Sequence, residues 1–128
     1  TGQARLFRGT DGIKDGEQRR DFVYVGDVVR VNLHFFEHGG ESGVYNCGTG
    51  VAHSYNEAAR AVIAALGKGE IVYRDFPEVL RGKYQNYTQA DTTALLAAGY
   101  DGGFTPMEEA VKEYCDFLNA GGYFSYAE

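Results

Sequence analysis

The sequence predicts an α/β domain, and three observations carry that reading. Ser54-Tyr55-Asn56-Glu57 and Thr105-Pro106-Met107-Glu108 both fit the capping box that starts a helix. Residues 21–25, 44–46 and 70–74 are runs of β-branched and aromatic type that favour strands. Glycines at 39–40, 67 and 99 stand where helices should stop.

Taken in order, residues 8–20 are polar and glycine-rich and read as an exposed loop. Residues 21–25 follow as a strand. Asp27 is placed to cap the next helix, its carboxylate accepting from free backbone N–H groups of the first turn. That helix carries Val28, Val31, Leu33, Phe35 and Phe36 and stops at Gly39-Gly40. A short strand at 44–46 runs into the turn Gly48-Thr49-Gly50. After Ser54, alanine-rich helix presents Ala58, Ala59, Val62, Ile63 and Leu66 on or near one face, ending at Gly67. Residues 70–74 form a strand that breaks before Pro77, and 79–90 are irregular or extended. Asp91 caps a short helix over 92–98. In the last helix Thr105 is the expected N-cap and Pro106 the first helical residue, with Val111, Tyr114, Cys115 and Leu118 as the apolar stripe. The order is β-α-β-α-β-(extended)-α-α.

Composition narrows the function. The chain has 128 residues, the size of one domain, and its 44% hydrophobic and 14% aromatic content suffices for a core. A formal net charge of −6 argues against a free nucleic-acid-binding module, though a few local arginines suffice to hold a small anion. Cys47 and Cys115 form no Cys-x-x-Cys pair and are not grouped with His34, His38 or His53, so two small buried or half-buried residues are expected and no metal site. His34 and His38 are four apart, yet no third ligand accompanies them. No long apolar run suggests a membrane span, and the cytoplasm is the default location. The start, Thr1-Gly2-Gln3, lacks an initiator methionine and fits a chain cut from something longer.

Two segments in fixed order carry a family resemblance: Arg20-Asp21-Phe22-Val23-Tyr24-Val25-Gly26-Asp27-Val28, then Tyr45-Asn46-Cys47-Gly48-Thr49-Gly50. This pattern resembles the extended short-chain dehydrogenase/reductases that epimerise or dehydrate nucleotide sugars. A third run, Gly82-Lys83-Tyr84-Gln85-Asn86-Tyr87-Thr88-Gln89-Ala90-Asp91, with Leu6-Phe7-Arg8-Gly9-Thr10 and Ala97-Ala98-Gly99-Tyr100-Asp101, is similar to the ADP-L-glycero-D-manno-heptose 6-epimerases. The resemblance implies a C-terminal, substrate-binding portion of such an enzyme over 1–128, with a strand and helix that complete a Rossmann domain. About 21–50 are then expected to pack on that domain. It also implies bound NADP, an ADP-heptose substrate destined for lipopolysaccharide, and a homo-oligomer, with no role for nucleic acid or membrane.

The chain lacks the family's cofactor fingerprint. Gly48-Thr49-Gly50 has no third glycine at the required spacing. The catalytic Tyr-x-x-x-Lys is absent too, because Lys14, Lys68, Lys83 and Lys112 follow Thr10, Ala64, Val79 and Glu108 at that spacing. No catalytic residue and no cofactor site are therefore expected in this chain alone. The resemblance implies substrate contacts from Phe7, Arg8, Gly9, Thr10, Arg20 and Tyr84. Arg20 offers a planar fork of donors to a diphosphate or sugar hydroxyls, and Tyr84 a phenol that reaches a phosphate oxygen. Arg19 should point away from Arg20 in an extended segment. Lys83 and Arg81 add positive potential. The alternatives are another NAD(P)-dependent nucleotide-sugar epimerase or dehydratase, and a stand-alone α/β module that binds a nucleotide sugar without catalysis.

Overall fold

The computed structural model describes residues 2–122. Strand β1 (Gln3–Phe7) pairs in parallel with β4 (Glu70–Arg74), in register from Gln3 opposite Glu70 to Phe7 opposite Arg74. Two further short strands, β2 (Arg19–Arg20) and β3 (His53–Ser54), pair antiparallel. The helices are α1 (Val25–His38), α2 (Tyr55–Leu66), α3 (Thr93–Ala97) and α4 (Met107–Asn119). Helix α2 packs on α4 and on the β1–β4 pair. The expected α/β class is present.

Helix α2 starts as its sequence dictates. Ser54 Oγ accepts from the Glu57 N–H at 3.1 Å, and a Glu57 carboxylate oxygen accepts from the Ser54 N–H at 2.6 Å. Both donors are ones a helix leaves unpaired. Gly67 closes it in the left-handed region, at φ 66°. Asp91 likewise accepts from the Thr93 N–H at 3.0 Å ahead of α3.

Five expectations need correction. Residues 21–25 are not a strand: pairing stops at Arg20, and Val25 already begins α1. Residues 44–46 are not one either, because no described strand lies beside them to complete a ladder. Asp27 does not cap α1. It sits inside the first turn, fully buried, and accepts from the Thr105 N–H at 2.7 Å and the Thr105 hydroxyl at 2.8 Å, with Arg30 as third donor. Thr105 in turn does not cap α4, since its side chain is committed to Asp27 and Pro106 holds the cap position. The 8–20 loop is not exposed throughout. Gly16 and Gln18 are buried, and Asn56 of α2 pins the loop by donating to the Asp15 carbonyl at 2.8 Å and the Glu17 carboxylate at 2.7 Å.

The main core joins Val31 of α1 to Leu95 and Tyr100, with Phe35, Tyr45, Cys47 and Phe104 packed around them. Helix α4 buries Met107, Ala110 and Cys115, whereas Tyr114 of the expected stripe is exposed and Val111 and Leu118 are half-buried. Both cysteines are free, Cys115 buried and Cys47 half-buried. Helix α1 keeps a second apolar face outward: Val25, Val29, Leu33 and Phe36 are 62%, 51%, 50% and 87% exposed. Their spacing of four, four and three places them in one row. Among the described residues no helix is long and apolar enough to cross a membrane.

Candidate functional site

The site is built where β2 ends. The 86–88 segment runs beside β2, the Arg19 N–H donating to the Asn86 carbonyl at 2.9 Å and the Thr88 N–H to the Arg19 carbonyl at 3.2 Å. This alignment brings the Tyr84 region, more than sixty residues away in sequence, against Arg20.

Adjacent side chains part company here, as extended backbone requires. Arg19 turns to the Ala52 carbonyl, at 2.6 and 3.2 Å, and to Glu57 at 3.6 Å. Arg20 lies over the Tyr84 ring at 4.9 Å and 5.9 Å from the Tyr55 centroid, a cation–π arrangement. Its guanidinium also donates to the Arg19 carbonyl at 2.7 Å and to the Gln85 carbonyl. Asp21 turns the other way and accepts four hydrogen bonds. Oδ1 takes the Thr49 N–H at 2.8 Å and hydroxyl at 2.6 Å, and Oδ2 takes the N–H groups of Gly50 at 2.8 Å and Ala90 at 3.0 Å. Burial pushes its carboxyl up, but these donors together outweigh burial and hold it below the usual range. Gly48 is required beside it, since a Cβ there would sit 2.6 Å from Ala90 Cβ and 2.9 Å from Asp21 Oδ2.

Phe7, Phe76 and Tyr84 pack edge to face, with centroids 5.3 to 6.4 Å apart. The Tyr84 hydroxyl donates to the Tyr55 hydroxyl at 3.3 Å, and burial followed by that bond pushes the Tyr84 phenol up to about 12. A niche of about 130 Å³ opens between Arg5, Leu6, Phe7, Gln18, Tyr55 and Tyr84. It is smaller than the roughly 300–1,000 Å³ of a whole-ligand pocket, so it suits one part of a ligand.

Phe7, Arg20 and Tyr84 are thus brought together. Arg8, Gly9 and Thr10 form the adjoining turn. Arg8 is held by Asp75 at 3.2 Å and Asp15 at 3.5 Å. The Gly9 N–H donates to Asp15 at 2.8 Å, and the Thr10 carbonyl accepts from the Ile13 N–H at 3.0 Å. Gly9 has no room for a side chain, because a Cβ would lie 1.7 Å from the Ile13 carbonyl oxygen. The close approach it permits is therefore that of its own chain. Sequence reasoning missed Arg5, Tyr55 and Arg74, whose guanidinium lies 4.7 Å from the Phe7 centroid. For Arg5 a signal existed: two places before Phe7 on a strand means the same face.

The Gly48-Thr49-Gly50 turn does not fit a cofactor phosphate. Such a turn needs free N–H groups, and those of Thr49 and Gly50 are already given to Asp21. Among the described residues no group of three or more His, Cys, Asp or Glu side chains could hold a metal.

Comparison with known proteins finds relatives in sequence and in fold. Residues 4–48 match the NAD dependent epimerase/dehydratase family. The chain is 55% identical to the ADP-L-glycero-D-manno-heptose-6-epimerase of Alkalilimnicola ehrlichii, over 91% of this chain and 36% of that protein. It is 47% identical to the enzyme of the same name from Thiobacillus denitrificans, over 91% of this chain and 40% of that one. Among solved structures, the Helicobacter pylori ADP-L-glycero-D-manno-heptose-6-epimerase superposes with a TM-score of 0.73 at 29% identity, covering 92% of this chain and 33% of its own. Thermus thermophilus UDP-glucose 4-epimerase, in complex with NAD, gives 0.70 at 28%, covering 91% and 35%. The chain spans little more than a third of the length of the curated relatives it matches. Along nearly all of its own length the chain is similar to that third of these ADP-L-glycero-D-manno-heptose-6-epimerases.

Proposed function

We propose that this chain supplies the substrate-binding part of an ADP-glyceromanno-heptose 6-epimerase, an isomerase that interconverts the D-glycero and L-glycero forms of ADP-heptose. The observation that carries the reading is Arg20 stacked 4.9 Å over Tyr84, beside Phe7 and the niche. An arginine held by stacking keeps its fork in plane and ready for a phosphate, while the rings offer apolar surface to the rest of the ligand. The identity of 47–55% to enzymes of that name supports the same reading.

In this reading Phe7, Arg20 and Tyr84 bind the nucleotide sugar directly, and Arg8, Gly9 and Thr10 shape the wall beside them. The nicotinamide cofactor, NADP in our proposal, is held by a part of the protein outside residues 1–128, where the proton-transferring groups also lie. Residues 21–50 face that part. The outward row Val25, Val29, Leu33 and Phe36 on α1 is the apolar surface such a contact uses. The enzyme works in the cytoplasm as a homo-oligomer.

The test is substrate affinity in the full-length protein. Arg20→Ala removes a charge-assisted contact worth roughly 1.5–3 kcal/mol, so the Kd for ADP-heptose should rise about ten- to hundred-fold while NADP affinity holds. Arg20→Lys should not restore it, because lysine lacks the fork. If Arg20→Ala binds ADP-heptose as tightly as wild type, the substrate-site assignment is wrong.

A further inference from the structure

We propose that Arg5 and Arg74 join Arg20 in a three-guanidinium cradle for the diphosphate of a nucleotide sugar, and so act as additional affinity-determining residues. This rests on the nucleotide-sugar reading of the same site.

The placement follows from strand register. Arg5 and Phe7 are two apart on β1 and share a face. Arg74 is the partner of Phe7 across the parallel pair, and it lies over the Phe7 ring at 4.7 Å. Arg5 lines the niche with Phe7 and Tyr84. Arg20 covers Tyr84 from its own side. Two cations therefore lie over rings that themselves pack edge to face, and a third stands at the niche wall.

Charge pairing points the same way. Arg8, Arg19, Arg30 and Arg81 each have a carboxylate within 4.0 Å. Among the described residues Arg5, Arg20, Arg60 and Arg74 have none, and of these Arg60 alone lies away from the niche, on α2. The only side-chain acceptor Arg5 reaches among the described residues is Gln3, at 3.5 Å. Acidic residues outnumber Lys and Arg by 18 to 12, so carboxylates are plentiful. One such guanidinium lines the niche and two lie over the Phe7 and Tyr84 rings that help to line it. In an acidic chain they make a local positive field, and that field suits a ligand bearing two or more negative charges.

The experiment titrates full-length protein with ADP and, separately, with inorganic pyrophosphate, at low and high salt. The proteins are wild type, Arg5→Gln, Arg74→Gln, Arg20→Ala and Arg60→Gln, which removes a charge from an exposed position of α2 outside the niche. Thermal melts establish that each variant folds. Arg5→Gln and Arg74→Gln should each weaken both ligands about tenfold and flatten the salt dependence, whereas Arg60→Gln should do neither. If Arg20→Ala loses ADP while Arg5→Gln and Arg74→Gln match wild type, the cradle is overturned and the substrate-site reading stands. If pyrophosphate binds and depends on all three arginines while ADP gains nothing over it, the cradle stands and the nucleotide reading fails. If neither ligand saturates wild type, both fall.

Discussion

Asp21 takes two hydrogen bonds from Thr49 on one oxygen, 2.8 Å from the backbone N–H and 2.6 Å from the hydroxyl. With Gly50 and Ala90 on the other oxygen, one carboxylate ties together the β2 exit, the glycine turn and the segment leading to α3. Asn cannot replace it, since an amide would set its own N–H groups against two backbone donors. Asp21→Asn should cost about 3 kcal/mol, read as a lower midpoint in urea unfolding.

The same carboxylate gives a pH signature. Its folded value is depressed, so its contribution is complete above the unfolded value of about 3.9 and is lost as pH falls through the folded one. The stability gap between wild type and Asp21→Asn should therefore be constant at neutral pH and narrow below about pH 4. Glu57 and Asp91 are depressed as well, by the Ser54 N–H and by Thr93, so the variant keeps part of the acid sensitivity. A gap that stays constant down to pH 2 would contradict this account.

Gly48→Ala should destabilise by overpacking, about 1–3 kcal/mol, because the new methyl meets Ala90 Cβ at 2.6 Å and the Asp21 carboxylate at 2.9 Å. Ala90→Gly in the same protein should recover part of the loss, since it removes the nearer obstacle. Denaturant midpoints of the two singles and the double close the cycle, and strict additivity would refute the steric explanation.

Thr105→Val should cost about 2 kcal/mol, because a fully buried carboxylate loses its hydroxyl donor. Arg30→Met should cost less. The Arg30 side chain is 49% exposed, and solvent already screens its pair with Asp27. Unfolding free energies of the two variants, compared directly, test that order.

The isolated chain should self-associate through the outward row of α1. Phe36→Glu, at a position 87% exposed, should shift sedimentation toward monomer without lowering the melting temperature. A wild-type chain that sediments as a concentration-independent monomer would remove this role for the row.

The parts of the fold legible in the sequence were those whose partners lie close along the chain. Ser54 and Glu57 are three apart, and Gly67 needs only its own backbone freedom. Asp27 and Thr105 each read as caps because the local signal was strong, yet they are 78 residues apart and bonded to each other. Nothing in either neighbourhood announces the other. Strand propensity at 44–46 met the same limit, for a ladder needs a second strand and the described residues offer none there. At the candidate site, the sequence points to Arg20 and Tyr84 only through family likeness, and the fold sets one over the other. Tyr55 reads only as part of a helix start, and nothing near Arg74 in sequence shows that register sets it opposite Phe7.

The parallel pairing of β1 with β4 also sets a timetable. Gln3 meets Glu70, so β1 leaves the ribosome 67 residues before its partner. At about 5–20 residues per second that is a wait of roughly 3–13 s. Throughout that interval one ladder edge of β1 has no mate on this chain, and a nascent strand in that state is open to other partners. Slow translation across α2 would lengthen the exposure, which makes codon choice between β1 and β4 a determinant of yield.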